Sequence, residues 1–310
     1  MKGGSNYKEG FKSGFVSIIG APNVGKSTLL NLVLGEKISI VSDKPQTTRN
    51  RITGIKNLKD AQIVFLDTPG IHQDKKRLNR IMVRNALTTL KEVDIIIFMV
   101  EANRPFTRDE KLIIPPLESL KLPVLLVINK VDLVEDKASL MPVIDRYSTL
   151  YPFKEIIPVS CLKAWRSSRD NSARIVVKSI LKYLPPGPPH FPQDMMTDRT
   201  ERFLVGEMIR EKVFQLTKQE IPYSTVVTID KFKEDLGKGV IHIMATINIE
   251  RSSQKGIVIG KGGQMLKRVG TMARKDMERL LGSKVFLELW VRVQEEWSSN
   301  SRVLRELGYN

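Results

Sequence analysis

Between residues 15 and 184 short apolar runs recur along the chain: FVSIIG, AQIVFLD, DIIIFMV, VLLVIN and EIIPVS. They are nearly continuous rather than alternating, which predicts strands buried on both faces. The segments between them, 78–90, 107–120 and 137–150, space their apolar residues as an amphipathic helix does. Strand–helix alternation of this kind predicts a mainly parallel sheet covered on both faces by helices, an α/β domain. After residue 198 the rhythm changes. A long amphipathic helix is expected over about 199–218, then two period-two strands, STVVTIDKF and GVIHIMATINIE. The apolar run IVIG reads as strand leading into a GKGG turn, followed by a basic helix to about 281 and a last strand, KVFLELWVRV. This α–β–β–α–β order predicts a smaller α+β domain. No internal repeat is visible, so the second part is not a copy of the first.

Between the two patterns lies PPGPPHFPQD, where five of the 16 prolines fall within residues 185–192. Proline lacks a backbone N–H and fixes φ, so the stretch continues neither helix nor strand. The expected organisation is a flexible N-terminus (1–13), a first domain (14–184), a Pro-rich linker (185–198) and a second domain (199–310).

Composition narrows the setting. A chain of 310 residues that is 41% hydrophobic can bury two cores. A single cysteine, Cys161, rules out an intramolecular disulfide and favours a reducing compartment. The opening MKGGSNYKEGFKSG has no apolar h-region, and no apolar run approaches the roughly 18 residues of a membrane span. A cytoplasmic location is the expectation. The net charge of +16 adds a partner class, because such an excess favours polyanions.

The chemistry sits in short motifs. Residues 20–28, GAPNVGKST, fit G-x-x-x-x-G-K-[ST] directly after a strand and before a helix. Gly20 and Gly25 let backbone amides wrap phosphate oxygens, with Asn23, Val24 and Thr28 completing the cradle. Lys26 can bridge the β- and γ-phosphates, and the Ser27 hydroxyl can meet Mg²⁺. Residues 129–132, NKVD, end a strand. The Asp132 carboxylate can accept both N1–H and the exocyclic amine of guanine, an arrangement that adenine does not offer. The stem of Lys130 can cover the flat ring, and Asn129 completes the motif. DTPG, residues 67–70, follows another strand, so Asp67 fits a Mg²⁺ role and Gly70 a γ-phosphate sensor, with Thr68 and Pro69 between them. In the loop TTR, Thr48 is the first choice to reach Mg²⁺ only when γ-phosphate is present, and Thr47 the second. Lys26, Thr48, Asp67 and Gly70 are therefore the expected catalytic set, and Ser27, Thr48 and Asp67 the metal set.

The second glycine turn, Gly260-Lys261-Gly262-Gly263, matches the G-x-x-G by which KH domains clamp about four nucleotides of RNA backbone. Residues 251–284 carry nine basic and two acidic side chains. Lys255, Ile259, Gly260, Lys261, Gly262, Gly263, Lys267 and Arg268 are the expected RNA contacts.

With GAPNVGKST, KPQTTR, DTPG and NKVD, the chain resembles the translation-factor-related GTPases, and the wording of these motifs is similar to the Era family. The order after residue 198 looks like a type II KH domain, so the resemblance covers essentially the whole chain. It implies a fifth nucleotide motif at Ser160-Cys161-Leu162-Lys163, where a backbone amide near Cys161 or Leu162 meets guanine O6. Cys161 stands where alanine is usual, which a backbone contact tolerates. The following AWRSSRDNSAR departs from the family's short turn, and 164–174 is expected as a surface insertion. The resemblance also implies binding near the 3′ end of small-subunit (16S) rRNA, a role in 30S subunit assembly, weak peripheral membrane association and no obligate oligomer.

Ile71 occupies the position at which many GTPases orient the attacking water with Gln, so hydrolysis is expected to be slow; His72 beside it reads as an exposed loop residue. Asn23 raises K⁺ as a further ion, since some relatives hold K⁺ there; the alternative is that Asn23 tunes loop geometry. A rival reading keeps the nucleotide as a fixed structural ligand of a non-catalytic RNA-binding protein, which Ile71 favours and Thr48, Asp67 and Gly70 oppose. A small-molecule P-loop kinase or ATPase fails on NKVD and leaves the KH half without a use.

Overall fold

A computed structural model of the chain describes residues 10–304 apart from 45–46, 71–87, 105, 168–169, 236, 238, 296, 299 and 301–302. These residues divide into two compact units. One takes residues 10–39, 48–70 and 88–198, and the other takes 40–44, 47 and those from 199 onward.

The apolar runs of the first unit form a six-stranded sheet in the order β2-β3-β1-β4-β5-β6. Its strands are β1 (Lys12–Ile19), β2 (Ile52–Asn57), β3 (Ala61–Asp67), β4 (Ile95–Glu101), β5 (Val124–Asn129) and β6 (Glu155–Pro158). All neighbours are parallel except β2, which runs antiparallel to β3. Every residue of β3, β4 and β5 is buried, which is why their sequences show no alternation. The helices are α1 (Lys26–Leu34), α2 (Arg108–Lys111), α3 (Ile114–Leu120), α4 (Leu140–Leu150), α5 (Cys161–Arg166) and α6 (Ser172–Tyr183).

Three features of this unit differ from the sequence expectation. β2 was not expected. A Cβ on its Gly54 would lie 2.6 Å from Leu30 Cδ1 and 2.7 Å from Leu34 Cδ1, so close packing against α1 removes the side chain that would have revealed the period. The helix expected over 107–120 is two short ones, because Pro115 and Pro116 occupy the start of α3, where missing N–H groups cost nothing. Of the segment expected as a surface insertion, 164–166 end α5 and 172–174 begin α6, so these residues belong to the fold. Ala164 and Ser172 are buried there, and the Asp170 carboxylate accepts from the Ser172 amide at 2.8 Å. The segment 78–90 lies mostly outside the described residues.

The Pro-rich stretch runs along this same unit. Lys12 pairs with Pro186, and the Gln62 side chain accepts from the His190 and Phe191 amides at 2.7 and 2.9 Å. Further on, Ile55 donates its amide to Met196, and the Thr53 hydroxyl donates to Asp198 at 2.9 Å.

The second unit is built from α7 (Glu201–Leu216), β7 (Thr225–Asp235), β8 (Val240–Ile249), α8 (Ser252–Ile259), α9 (Gln264–Leu281) and β9 (Lys284–Val293). Its sheet has the order β7-β8-β9, antiparallel then parallel, with a bulge between Ile229 and Lys231. Helix α9 turns Val269, Ala273 and Met277 inward at four-residue spacing and stops at Gly282, which is left-handed. Lys212 on α7 reaches Asp276 on α9 at 2.5 Å and Glu211 at 2.6 Å, a buried charge cluster joining the two helices. The run before the glycine turn is helix α8 and not a strand. Its buried residues Gln254 and Val258 are four apart, and the polar RSSQK that opens it disguised the helical period. Within this unit residues 40–44 and 47 pack on α7. Glu211 accepts from the Val41 amide at 2.8 Å, Lys44 donates to the carbonyls of Phe214 and Thr217, and Arg210 donates to the Thr47 carbonyl at 2.5 Å.

Candidate functional site

The carboxyl ends of β1, β3 and β5 converge, and each carries one of the motifs. After β1 the chain turns sharply through Gly20. A Cβ there would lie 2.3 Å from the Met99 carbonyl oxygen, so only glycine fits. Asn23 is left-handed (φ 66°), a conformation that asparagine tolerates better than most residues, and Gly25 (φ 103°) leads into α1. A Cβ on Gly25 would sit 2.2 Å from Asn129 Nδ2. That closeness has a purpose: the Asn129 amide donates to the Val24 carbonyl at 2.8 Å, while its oxygen accepts from the Cys161 amide at 3.0 Å. One side chain thus joins the phosphate loop, the NKVD turn and the Ser160–Lys163 turn.

Lys26 is buried and donates to the carbonyls of Gly20 and Ala21 at 3.1 and 2.9 Å. Burial lowers its pKa to about 8, against a smaller opposing pull from the Asp67 charge. Asp67 shows the reverse. Burial raises its carboxyl above the usual range, with hydrogen bonds from Ser27, Ser39 and Thr48 and the charge of Lys26 opposing. Its Oδ2 accepts from Ser27 at 2.7 Å and from Ser39 at 2.9 Å, and the Thr48 hydroxyl lies 2.8 Å from that of Ser27. Thr48 is therefore the threonine brought to this cluster, whereas the Thr47 hydroxyl donates to the Lys44 carbonyl at 2.6 Å. Asp67 Oδ1 is fully buried and has no hydrogen-bond partner. A carboxylate with one unsatisfied oxygen beside two hydroxyls is a donor set of the hard oxygen type that Mg²⁺ takes, so the residues present fit that ion. Thr68 donates to the Ile18 carbonyl at 3.0 Å, and after Pro69 the chain reaches Gly70, where a Cβ would lie 2.9 Å from Pro22 backbone. The loop of Asp67–Gly70 is thereby pressed against the phosphate loop. Thr28 follows in the first turn of α1. Ile71 and His72 lie outside the described residues.

At the other end of the cleft Asp132 is exposed, and its carboxylate accepts from the Ser160 hydroxyl. Lys130 is left-handed and pairs with the buried Glu101, which also binds Arg104 at 2.9 Å. The Cys161 amide is already bonded to Asn129. Leu162 and Lys163 stand next in the first turn of α5, where amides have no acceptor within the helix. The Cys161 thiol is fully buried, and burial pushes its pKa up, away from any nucleophilic role.

Sequence reasoning missed the supports: Ser39 on Asp67, Glu101 on Lys130, and Asn31. The Asn31 side chain accepts from the amides of Ile38 and Ser39 at 3.0 and 2.8 Å and so places Ser39. An asparagine inside the apolar run LLNLVL was the available signal, since a buried amide needs partners.

In the second unit α8 ends at Gly260 (φ 74°, ψ 170°), where a Cβ would fall 2.6 Å from Met265 Cβ. Gly262 and Gly263 are also at positive φ but face open space. Lys255, Lys261, Lys267 and Arg268 are exposed around the turn, and Ile259 is half-buried beneath it. Lys255 on α8, Lys261 in the turn, and Lys267 and Arg268 near the start of α9 are thus exposed, and Gly262 and Gly263 leave open space at the turn.

The chain matches the family described as 50S ribosome-binding GTPase over residues 15–130, and the KH domain family over residues 220–298. The GTPase Era of Geotalea uraniireducens (strain Rf4) is 57% identical over 299 residues, covering 96% of this chain and 98% of its own. That of Geobacter metallireducens (strain ATCC 53774 / DSM 7210 / GS-15) is 55% identical with the same coverage. Among solved structures, an Aquifex aeolicus Era variant bound to GDP and AlF4⁻ aligns with a TM-score of 0.90 at 44% identity, covering 96% of this chain and 99% of that one. Era in complex with MgGDPNP and nucleotides 1506–1542 of 16S ribosomal RNA aligns at 0.91 and 43%, with the same coverage.

Proposed function

The chain belongs to the Era family of GTPases, and from that premise we propose that it is a GTP-driven switch that binds the 3′ region of 16S rRNA and acts in assembly of the 30S subunit. Asn129 carries the nucleotide half of this reading, because it couples the phosphate loop to both guanine-side turns. Asp132, oriented by Ser160, takes the guanine edge, the Lys130 stem lies along the ring, and the Leu162 amide is the choice for O6, since that of Cys161 is engaged. Lys26 and the amides of residues 23–28 bind the phosphates. Ser27, Thr48 and Asp67 would hold Mg²⁺, which when bound would offset phosphate charge. Gly70 presents its amide to the γ-phosphate. Hydrolysis here depends on positioning and charge, as expected where Ile71 replaces a water-orienting side chain.

The open turn at Gly260–Gly263 supports the RNA half. Gly262→Asp places a carboxylate on the proposed phosphate path; its Cβ meets no atom within 4 Å, and because φ 56° strains a non-glycine residue, an unchanged melting temperature of the variant accompanies the binding measurement. Its affinity for single-stranded RNA of the 16S 3′ end should drop by about 100-fold, while GTP affinity stays unchanged. Equal RNA affinity of the variant and the wild type in fluorescence anisotropy would remove the turn from the RNA site.

We place the protein in the cytoplasm, with weak peripheral contact to anionic membrane surface through its positive charge. Among the described residues no helix is long and apolar enough to cross a membrane. The left-handed Asn23 satisfies a geometric need of the loop, yet its place beside the phosphates also suits K⁺. A K⁺ role predicts faster hydrolysis in KCl than in NaCl at matched ionic strength; equal rates leave Asn23 to the loop geometry alone.

A further inference from the structure

One face of the three-stranded sheet carries the core of the second unit, and the other carries aromatic rings. Along β9, Val285, Leu287, Leu289, Val291 and Val293 pack inward, whereas Phe286 and Trp290 point away and are 52% and 61% exposed. The register sets His242 beside Phe286, with ring centroids 5.3 Å apart, and Lys233 beyond His242 on the edge strand. Trp290 stands beside Thr246, whose hydroxyl donates to Asp230 at 2.7 Å, and Lys231 shares the next row with Met244 and Glu288. Two large rings left in water on one strand call for a partner.

We propose that this face is a second RNA contact, a stacking platform for unpaired bases of a single strand, separate from the glycine turn. The inference rests on the RNA reading above. Phe286 and Trp290 are four residues apart on a strand, about 13 Å, with the Lys231–Met244–Glu288 row between them, so each ring can stack its own base of one strand. Aromatic faces stack any base, while lysines on the flank meet phosphates. Lysine is depleted from the cores of protein–protein interfaces, so the row Lys233–His242–Phe286 suits a nucleic acid better than a protein. A KH turn holds only about four nucleotides, so a longer bound strand needs further surface in the same unit.

The test is the affinity of the full-length protein for RNA corresponding to nucleotides 1506–1542 of 16S rRNA, measured for the wild type, Trp290→Ala, Phe286→Ala, Trp290→Phe and Gly262→Asp. Each alanine variant should weaken binding by about fivefold or more, and Trp290→Phe should restore most of the loss. In a Trp165→Phe background the same RNA should quench Trp290 fluorescence, the remaining Trp297 being fully buried. Both rings are exposed, so unchanged melting temperatures separate lost contact from lost folding. If the alanine variants bind as the wild type while Gly262→Asp does not, the platform is refuted and the RNA reading survives. If the wild type itself fails to bind, both fall. Altered self-association of Trp290→Ala with unaltered RNA affinity assigns the face to a protein contact and likewise overturns the proposal.

Discussion

Replacing Asp132 by Asn should lower the affinity for GTP by about 10⁴-fold and confer tight binding to xanthosine triphosphate. The carboxylate offers two acceptors to the two donors on the guanine edge. An amide offers one acceptor and one donor, so its NH₂ faces the guanine amine, and a site built to hydrogen-bond the base, left with unpaired polar groups in the complex, rejects it by about 10⁴. Xanthine carries a carbonyl where guanine has that amine, and the pairing is complete again. Asp132 is exposed, and its bond from Ser160 can still be accepted by the Asn oxygen, so the fold is not at stake. The check is nucleotide competition: a variant that keeps its preference for GTP would remove Asp132 from base recognition.

Lys26→Ala should lower kcat/KM for GTP by on the order of 10³, because a buried cation aimed at developing phosphate charge has no substitute among its neighbours. The same residue makes binding pH-dependent. In the nucleotide-free protein Lys26 titrates near pH 8, lowered chiefly by burial. Phosphate oxygens favour the ammonium form, so the bound state keeps its proton to higher pH. Below pH 8 the free protein already carries that proton. Above it, binding must take one up, and Kd should rise by about tenfold per pH unit. Titration calorimetry from pH 7 to 9.5 checks the sign, and Lys26→Ala should abolish the dependence. A wild-type affinity that is flat across this range contradicts the assignment.

How much of this was readable beforehand follows from how each element is buried. Strands covered on both faces announced themselves as unbroken apolar runs, and β3 and β5 have the limits that their runs suggested, while β9, covered on one face, kept an alternating pattern within the limits expected of it. β2 and α8 did not, because each shows the sequence a partial face: Gly54 gives up its side chain to α1, and α8 opens with polar residues before Val258 turns inward. The residues proposed to touch phosphate, base or metal carry constrained spacing, and the structure gathers their motifs at the carboxyl ends of β1, β3 and β5. The residues that hold them in place carry none. Ser39, Asn31 and Glu101 act through tertiary contacts, and only the odd asparagine in α1 hinted at one of them. The choice between Thr47 and Thr48 was likewise beyond spacing. It turns on which hydroxyl reaches Ser27, and adjacent residues in a loop present opposite sides.

The most direct test of a switch that reads RNA is Mg²⁺-dependent phosphate release from GTP with and without single-stranded RNA of the 16S 3′ end, on the wild type and Gly262→Asp. A nucleotide site coupled to RNA predicts slow basal turnover in both, and stimulation by RNA in the wild type only. Turnover indifferent to RNA in the wild type, or stimulated equally in the variant, would contradict it.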